Sequence, residues 1–304
     1  MPVLLWRLIL GPLLIGLLAV LCRADVSSGR PGIYLFPLAI ALALLAAQEM
    51  LRLVRAAGHR PAAWTIYAGS LLPTLAACAP IAWAVYPADC PVGRLGWLAS
   101  GLAISMIVVL IAELSRFVEP GRSLSNLSAA ALSILYVGGL LGFLVQLRLL
   151  PIDGDVGHGG MLALLSMIIV VKATDIGAYT TGRLVGRHKM APLLSPGKTW
   201  EGVAGGLLCA IGGSMLALGP LADGLAIEIG RSGLAWLAIA LVYGLMVGIA
   251  GIAGDLAESL LKRDAGVKDS SDWLPGFGGI LDLLDSLLVA APIAYLCWVS
   301  GLIT

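Results

Sequence analysis

The chain has 304 residues, 59% of them hydrophobic and 12% charged, with a formal net charge of +1. A soluble domain carries about 25% charged residues, so this composition excludes an ordinary soluble globule and describes a polytopic membrane protein. The near-neutral balance also excludes a protein drawn to nucleic acid by a global positive field.

A membrane span needs roughly 20 mostly apolar residues. Nine stretches qualify: about Pro2–Cys22, Ile33–Val54, Trp64–Tyr86, Leu95–Leu114, Leu127–Leu150, Gly160–Thr181, Gly202–Leu221, Leu234–Gly254 and Ser286–Ile303. Extended chain at membrane depth requires a closed barrel, and these runs show no period-two alternation. The fold class is therefore all-α, with about nine transmembrane helices. The first run is long for a signal peptide and lacks a clean A-x-A site, so it is expected to stay as a helix. Residues 1–150 read as about five membrane helices with little beyond hydrophobicity. Residues 151–304 read as a second region of about four helices, with loops at 182–201 and 262–281 that carry the charge expected of a catalytic, cytoplasm-facing part.

Lys and Arg set the expected orientation. The loops after even-numbered spans hold twelve of them and those after odd-numbered spans hold five. The even loops are thus expected in the cytoplasm, with the N-terminus inside and the C-terminus outside. The five cysteines form no CxxC and the three histidines show no metal-ligand spacing. The pairs Gly138/Gly142, Gly202/Gly206 and Gly244/Gly248 fit close helix packing and leave homodimerisation open.

The chemistry-bearing residues begin in the sixth span. Lys172 and Asp175 are i and i+3 within it, and Tyr179 shares the face of Asp175. They either neutralise each other or serve a function, as charge at this depth commonly does. The following loop is the most basic. Ser195-Pro196 reads there as a helix start, Ser as N-cap and Pro at the first helical position. Lys198 and Thr199 would then lie in the first turn, making an anion site suited to a di- or triphosphate. "GKT" is not a P-loop, because Pro192 stands where the motif needs glycine and no strand pattern precedes it.

The eighth span continues its helical pattern past Gly254 to Ala265. That helix would be about 48 Å long, against a bilayer core of about 30 Å. Asp255, Glu258 and Lys262 lie on one of its faces. Pro275, Gly276, Gly278 and Gly279 then break the chain before a helix restarts with Asp282 and Asp285 at i and i+3. Acids near a helix start are favoured by its dipole, which is the plain explanation. Yet a carboxylate within a span costs roughly 2.5–3.5 kcal/mol on insertion scales. Two helices that each present acids at one membrane edge suggest a divalent-cation site, and hard oxygen ligands favour Mg²⁺. With Arg183, Arg187, Lys189, Lys198, Lys262, Arg263 and Lys268 nearby in sequence, the pattern points to phosphoryl or nucleotidyl chemistry on a lipid.

Two segments carry a resemblance. "SLLKRDAGVKDSSDWLPGFGGILDLLDSLL" (Ser259–Leu288) and "DIGAYTTGRLVGRHKMAPLLSPGKTWEG" (Asp175–Gly202) resemble the signatures of the phosphatidate cytidylyltransferases, or CDP-diacylglycerol synthases. The likeness is strong over roughly Lys172 to Pro292, with a weak echo at Glu49. It implies transfer of the cytidylyl group of CTP to phosphatidate, releasing pyrophosphate, with Mg²⁺ as one or two ions and room for a monovalent cation. It also implies CTP, phosphatidate and the bilayer as partners, with no nucleic acid expected from the charge balance; the lack of an Arg- and Ser-rich N-terminal stretch favours a bacterial inner membrane over an organelle. By that likeness Asp255, Asp282 and Asp285 are the metal ligands. Lys172, Asp175, Tyr179 and Arg183 line a polar pocket. Ser195, Pro196, Lys198, Thr199 and Glu201 hold the CTP phosphates or shape their loop, while Lys262, Arg263, Lys268 and Asp269 meet phosphates and order theirs. Phe277 and Leu283 stand where the family usually has His and Arg, while the carboxylates all remain. A related enzyme acting on another lipid phosphate or a polyprenol, and a transporter or inactive relative, stay open as alternatives.

Overall fold

A computed structural model of the chain describes residues 3–82, 86–87, 89–152, 154–227, 229, 233–268, 270–271 and 278–303. Helices account for nearly all of its regular structure. They are α1 (Val3–Ser27), α2 (Leu35–Ala56), α3 (Ala63–Ala77), α4 (Gly93–Ser115), α5 (Ser123–Ile134), α6 (Leu140–Arg148), α7 (His158–Val185), α8 (Trp200–Leu216), α9 (Ala222–Gly224), α10 (Leu234–Asp264) and α11 (Ile280–Val299). Single π-helical segments, Leu135–Gly139 and Ala217–Leu221, join α5 to α6 and α8 to α9. Among the described residues, eight helical stretches are long and apolar enough to cross a membrane. Leu13, Ile15 and Val20 of α1 and Ile104, Ile107 and Ile111 of α4 are exposed, a surface suited to lipid. The chain is an integral membrane protein of all-α class. The expected third span is interrupted: α3 has 15 residues and passes into a 3₁₀ turn at Ala79–Ala82.

The helices fall into two compact units. The first comprises Met1–Leu149 and Leu261–Leu284, the second Leu150–Leu260 and Asp285–Thr304. The stretch Leu261–Leu284 groups with the N-terminal helices.

In the first unit, Ala77, Cys78, Leu98, Val145 and Leu149 form a buried cluster. A Cβ on Gly138 would lie 2.4 Å from the Ser70 carbonyl oxygen, so the π segment marks where two backbones touch. Asp25 is buried and takes Arg148 through Nη2 at 2.6 Å, together with the N–H groups of Gly32 and Tyr34. Arg148 is 3% exposed.

In the second unit, small residues hold the helices together. A Cβ on Gly177 of α7 would meet Cys209 Cβ at 2.6 Å, and one on Gly205 of α8 would meet Thr181 Oγ1 at 2.0 Å. Gly244 and Gly248 of α10 sit against Ala210 of α8 in the same way. All three GxxxG pairs thus pack inside the chain. The α7–α8 seam matters for the site because both helices carry site residues. Gly205→Val should therefore destabilise the fold by about 1–3 kcal/mol or more, as overpacking does, read as a lowered midpoint in detergent thermal unfolding. Gly212→Ala, whose added Cβ meets nothing within 4 Å, should leave that midpoint nearly unchanged.

Candidate active site

Helix α7 presents Lys172, Asp175, Tyr179 and Arg183 at spacings of three, four and four, which keeps them along one stripe. Lys172 Nζ donates to Asp175 Oδ2 at 3.1 Å, and Arg183 Nη1 donates to the Tyr179 hydroxyl at 2.9 Å. Both members of the first pair are part-exposed, so it is a poised pair rather than a sealed one.

The loop after α7 differs from the sequence expectation. Ser195–Thr199 is a strand, β2, paired antiparallel with β1 (Lys189–Ala191), with Lys189 opposite Thr199 and Ala191 opposite Ser195. Ser195 and Pro196 therefore do not start a helix. Proline has no N–H for a ladder, and the irregular register between the paired positions accommodates it. Gly197 further disfavours a helical start. The true N-cap is Thr199, extended at φ −129° and ψ 155°, whose Oγ1 accepts the Gly202 N–H at 3.1 Å. A short strand does precede Pro192, but it is one arm of a hairpin and not the strand of a phosphate-binding loop. Glu201 shapes this loop: its carboxylate accepts the N–H groups of Arg187 and His188 and pairs with His188 Nδ1 at 2.6 Å.

The hairpin aims Lys198 inward. Its Nζ is buried and lies 2.9 Å from Asp255 Oδ2 on α10. Beside Asp255, a Cβ on Gly254 would lie 2.5 Å from the Asp285 carbonyl oxygen, so α10 and α11 meet backbone to backbone at this level. Asp285 itself is 8% exposed. Asp175 and Asp285 each lie within electrostatic reach of Asp255, and Asp285 also of Lys172. The second unit thus gathers Lys172, Asp175, Lys198, Asp255 and Asp285 in one charged cluster.

The first unit carries its own set of charged residues. Lys262 Nζ pairs with Asp282 Oδ1, and Asp282 Oδ2 accepts Ser270 Oγ at 2.6 Å and the Gly279 N–H at 2.7 Å. Arg263 reaches the Val267 carbonyl at 3.5 Å and Lys268 is exposed. Asp269 and Phe277 lie outside the described residues, as do Pro275 and Gly276. Sequence reasoning gave Ser270 no role and saw only a faint likeness at Glu49, yet both belong to this network. Glu49 Oε2 accepts Ser270 Oγ at 3.0 Å. A charge inside the second span was the available signal.

Among the described residues, no three His, Cys, Asp or Glu side chains gather closely enough to hold a metal by themselves. Mg²⁺ needs less: one or two carboxylates with waters and substrate phosphates. Hard oxygens balanced by lysines, as at Asp255 and Asp285, fit that requirement.

The model of the family described as Cytidylyltransferase family matches residues 6–300. The chain belongs to the cytidylyltransferase family. Among its relatives, a phosphatidate cytidylyltransferase of Haemophilus influenzae is 38% identical over 63% of this chain and 62% of its own length. The uncharacterized protein YnbB of Escherichia coli is 41% identical over 45% of this chain and 43% of its own. A phosphatidate cytidylyltransferase of Synechocystis sp. is 31% identical over 87% of this chain and 88% of its own. The chain thus spans less than two thirds of the first two and most of the third.

Because Thr199 closes the hairpin onto α8, its loss should be felt in stability. Thr199→Ala should lower the unfolding free energy by about 1 kcal/mol, while Thr199→Ser keeps most of the wild-type value. Thermal unfolding in detergent of the three proteins measures the difference.

Proposed function

We propose that the protein transfers the cytidylyl group of CTP to phosphatidate, giving CDP-diacylglycerol and pyrophosphate, at the cytoplasmic face of a bacterial inner membrane. The observation that carries this reading is Lys198 of the hairpin meeting Asp255 of α10 in a chain that matches a cytidylyltransferase family over 6–300. A basic loop that reaches an acidic cluster in a membrane protein offers a nucleotide polyphosphate both charges it needs. The relatives named for phosphatidate and the bacterial sources of those relatives support the substrate and the membrane.

The residues supply positioning and charge. A phosphate oxygen of phosphatidate attacks the α-phosphorus of CTP, the bond from that phosphorus to the bridging oxygen breaks, and pyrophosphate leaves with its electrons. The nucleophile is anionic near neutral pH, so no strong general base is required. Lys198, Lys172 and Arg183 would hold phosphate oxygens, which is most of what such a transfer asks of a protein. Asp255 and Asp285 would hold Mg²⁺, which would neutralise charge on the phosphates when bound, while Asp282, expected from the sequence as a further ligand, orders Lys262 within the first unit. Both oxygens of Asp282 are engaged: Oδ2 accepts the Ser270 hydroxyl and the Gly279 N–H, and Oδ1 pairs with Lys262.

The test is pyrophosphate release by purified protein in detergent with CTP, Mg²⁺ and phosphatidate. Release should need all three components. Asp285→Asn and Asp255→Asn should each lower it by at least roughly 100-fold, the scale seen when a preorganised electrostatic group is removed. Preference for a polyprenyl phosphate over phosphatidate would replace the acceptor in this reading. Undiminished release by both variants would overturn the assigned site.

A further inference from the structure

One buried acid has no place in the chemistry above. Glu49 of α2 is 4% exposed. Its Oε1 accepts the Ile280 N–H at 3.0 Å and its Oε2 accepts the Leu281 N–H at 2.8 Å. The same Oε2 receives the Ser270 hydroxyl at 3.0 Å. Every one of these partners belongs to the first compact unit.

Ile280 and Leu281 are the first two residues of α11, whose leading N–H groups have no partner within the helix. A side chain at the N-cap normally takes such a group. Here the N-cap position is Gly279, which has none. The reason is steric: a Cβ there would lie 2.1 Å from Ser270 Oγ and 2.3 Å from Glu49 Oε2. Asp282, the third helical residue, reaches back to the Gly279 N–H at 2.7 Å, which is one half of a capping box. Glu49, from a different helix, takes the first two helical amides in place of an N-cap side chain. The two carboxylates also share the Ser270 hydroxyl, which lies 2.6 Å from Asp282 Oδ2.

We propose that Glu49 is a positioning residue for Asp282: it caps α11 from α2 in place of the absent N-cap side chain and so fixes the carboxylate that faces Lys262. The catalytic consequence rests on the function proposed above, whereas the cap does not.

The test uses the full-length protein in detergent, with Glu49→Gln, Glu49→Ala, Asp282→Asn and the double variant Glu49→Gln/Asp282→Asn. Hydrogen exchange of the Gly279–Asp282 amides reads the cap directly. Exchange should speed up in Glu49→Ala and less so in Glu49→Gln, which keeps one acceptor oxygen. In the transfer assay kcat should fall by about 10–100-fold in Glu49→Ala, the range for supporting groups around a site, with KM for CTP nearly unchanged. Glu49→Gln should be intermediate. If Glu49 acts through Asp282, adding Glu49→Gln to Asp282→Asn should slow the enzyme no further. Unchanged exchange in both Glu49 variants would overturn the cap. Full additivity of the two single effects on kcat, or loss of the cap with kcat within about twofold of wild type, would overturn the positioning role. Should Glu49→Ala fail to fold, Glu49→Gln carries both readouts. A wild-type protein that releases no pyrophosphate would sink the functional reading and with it the catalytic consequence, while exchange would still decide the cap.

Discussion

An ionised carboxylate inside an apolar bundle must be answered by a cation or by oriented N–H groups, because no bulk water is there to solvate it. The polar part of this protein is a set of solutions to that constraint. Lysines answer three of the acids: Lys172 for Asp175, Lys198 for Asp255 and Lys262 for Asp282. Backbone amides answer Glu49, and an arginine with two amides answers Asp25. The same pairs that make the charges tolerable keep both signs close together, a mixture that the proposed metal–polyphosphate substrate would require. A cation held at Asp255 would compete with Lys198 for the carboxylate, and the lysine so freed would be available to a phosphate.

Glycine makes this arrangement possible. The apolar surfaces of α7, α8 and α10 gain little from burial against one another when lipid is the alternative, so close van der Waals contact must hold them. Gly177, Gly205 and Gly244 allow that approach. Gly254 does the same beside Asp255 and brings α10 against the backbone of α11. Side chains at these positions would separate the helices and loosen the registry of the charged residues along them.

Most of the helical architecture was legible because hydrophobic run length is a direct physical requirement of the bilayer. The long α10 and the restart of a helix before Asp282 were likewise legible from pattern and from the proline and glycines between them. The hairpin was not. Ser195-Pro196 satisfies the local rules for a helix start, and Thr199 satisfies them too; only pairing with Lys189–Ala191 decides between them. Lys172 and Asp175 could be seen as a pair from their spacing. The partnership of Lys198 with Asp255 could not, since it joins a loop to a helix far along the chain. Glu49 was the least legible, because its partners at Ile280 and Leu281 have no local signature that refers to α2.

The cap on α11 also has a consequence for how the protein is made. Glu49 and Ile280 are 231 residues apart. At a synthesis rate of about 5–20 residues per second, roughly 12–46 seconds separate their emergence from the ribosome. During that interval α2 must enter the membrane with an acid whose partners do not yet exist. It has to be screened by water or lipid headgroups, or held back near the interface, until α11 arrives. Completion of the site is thereby tied to the synthesis of residues 280 and 281, and a chain that stops before residue 280 retains a helix with an uncompensated acid.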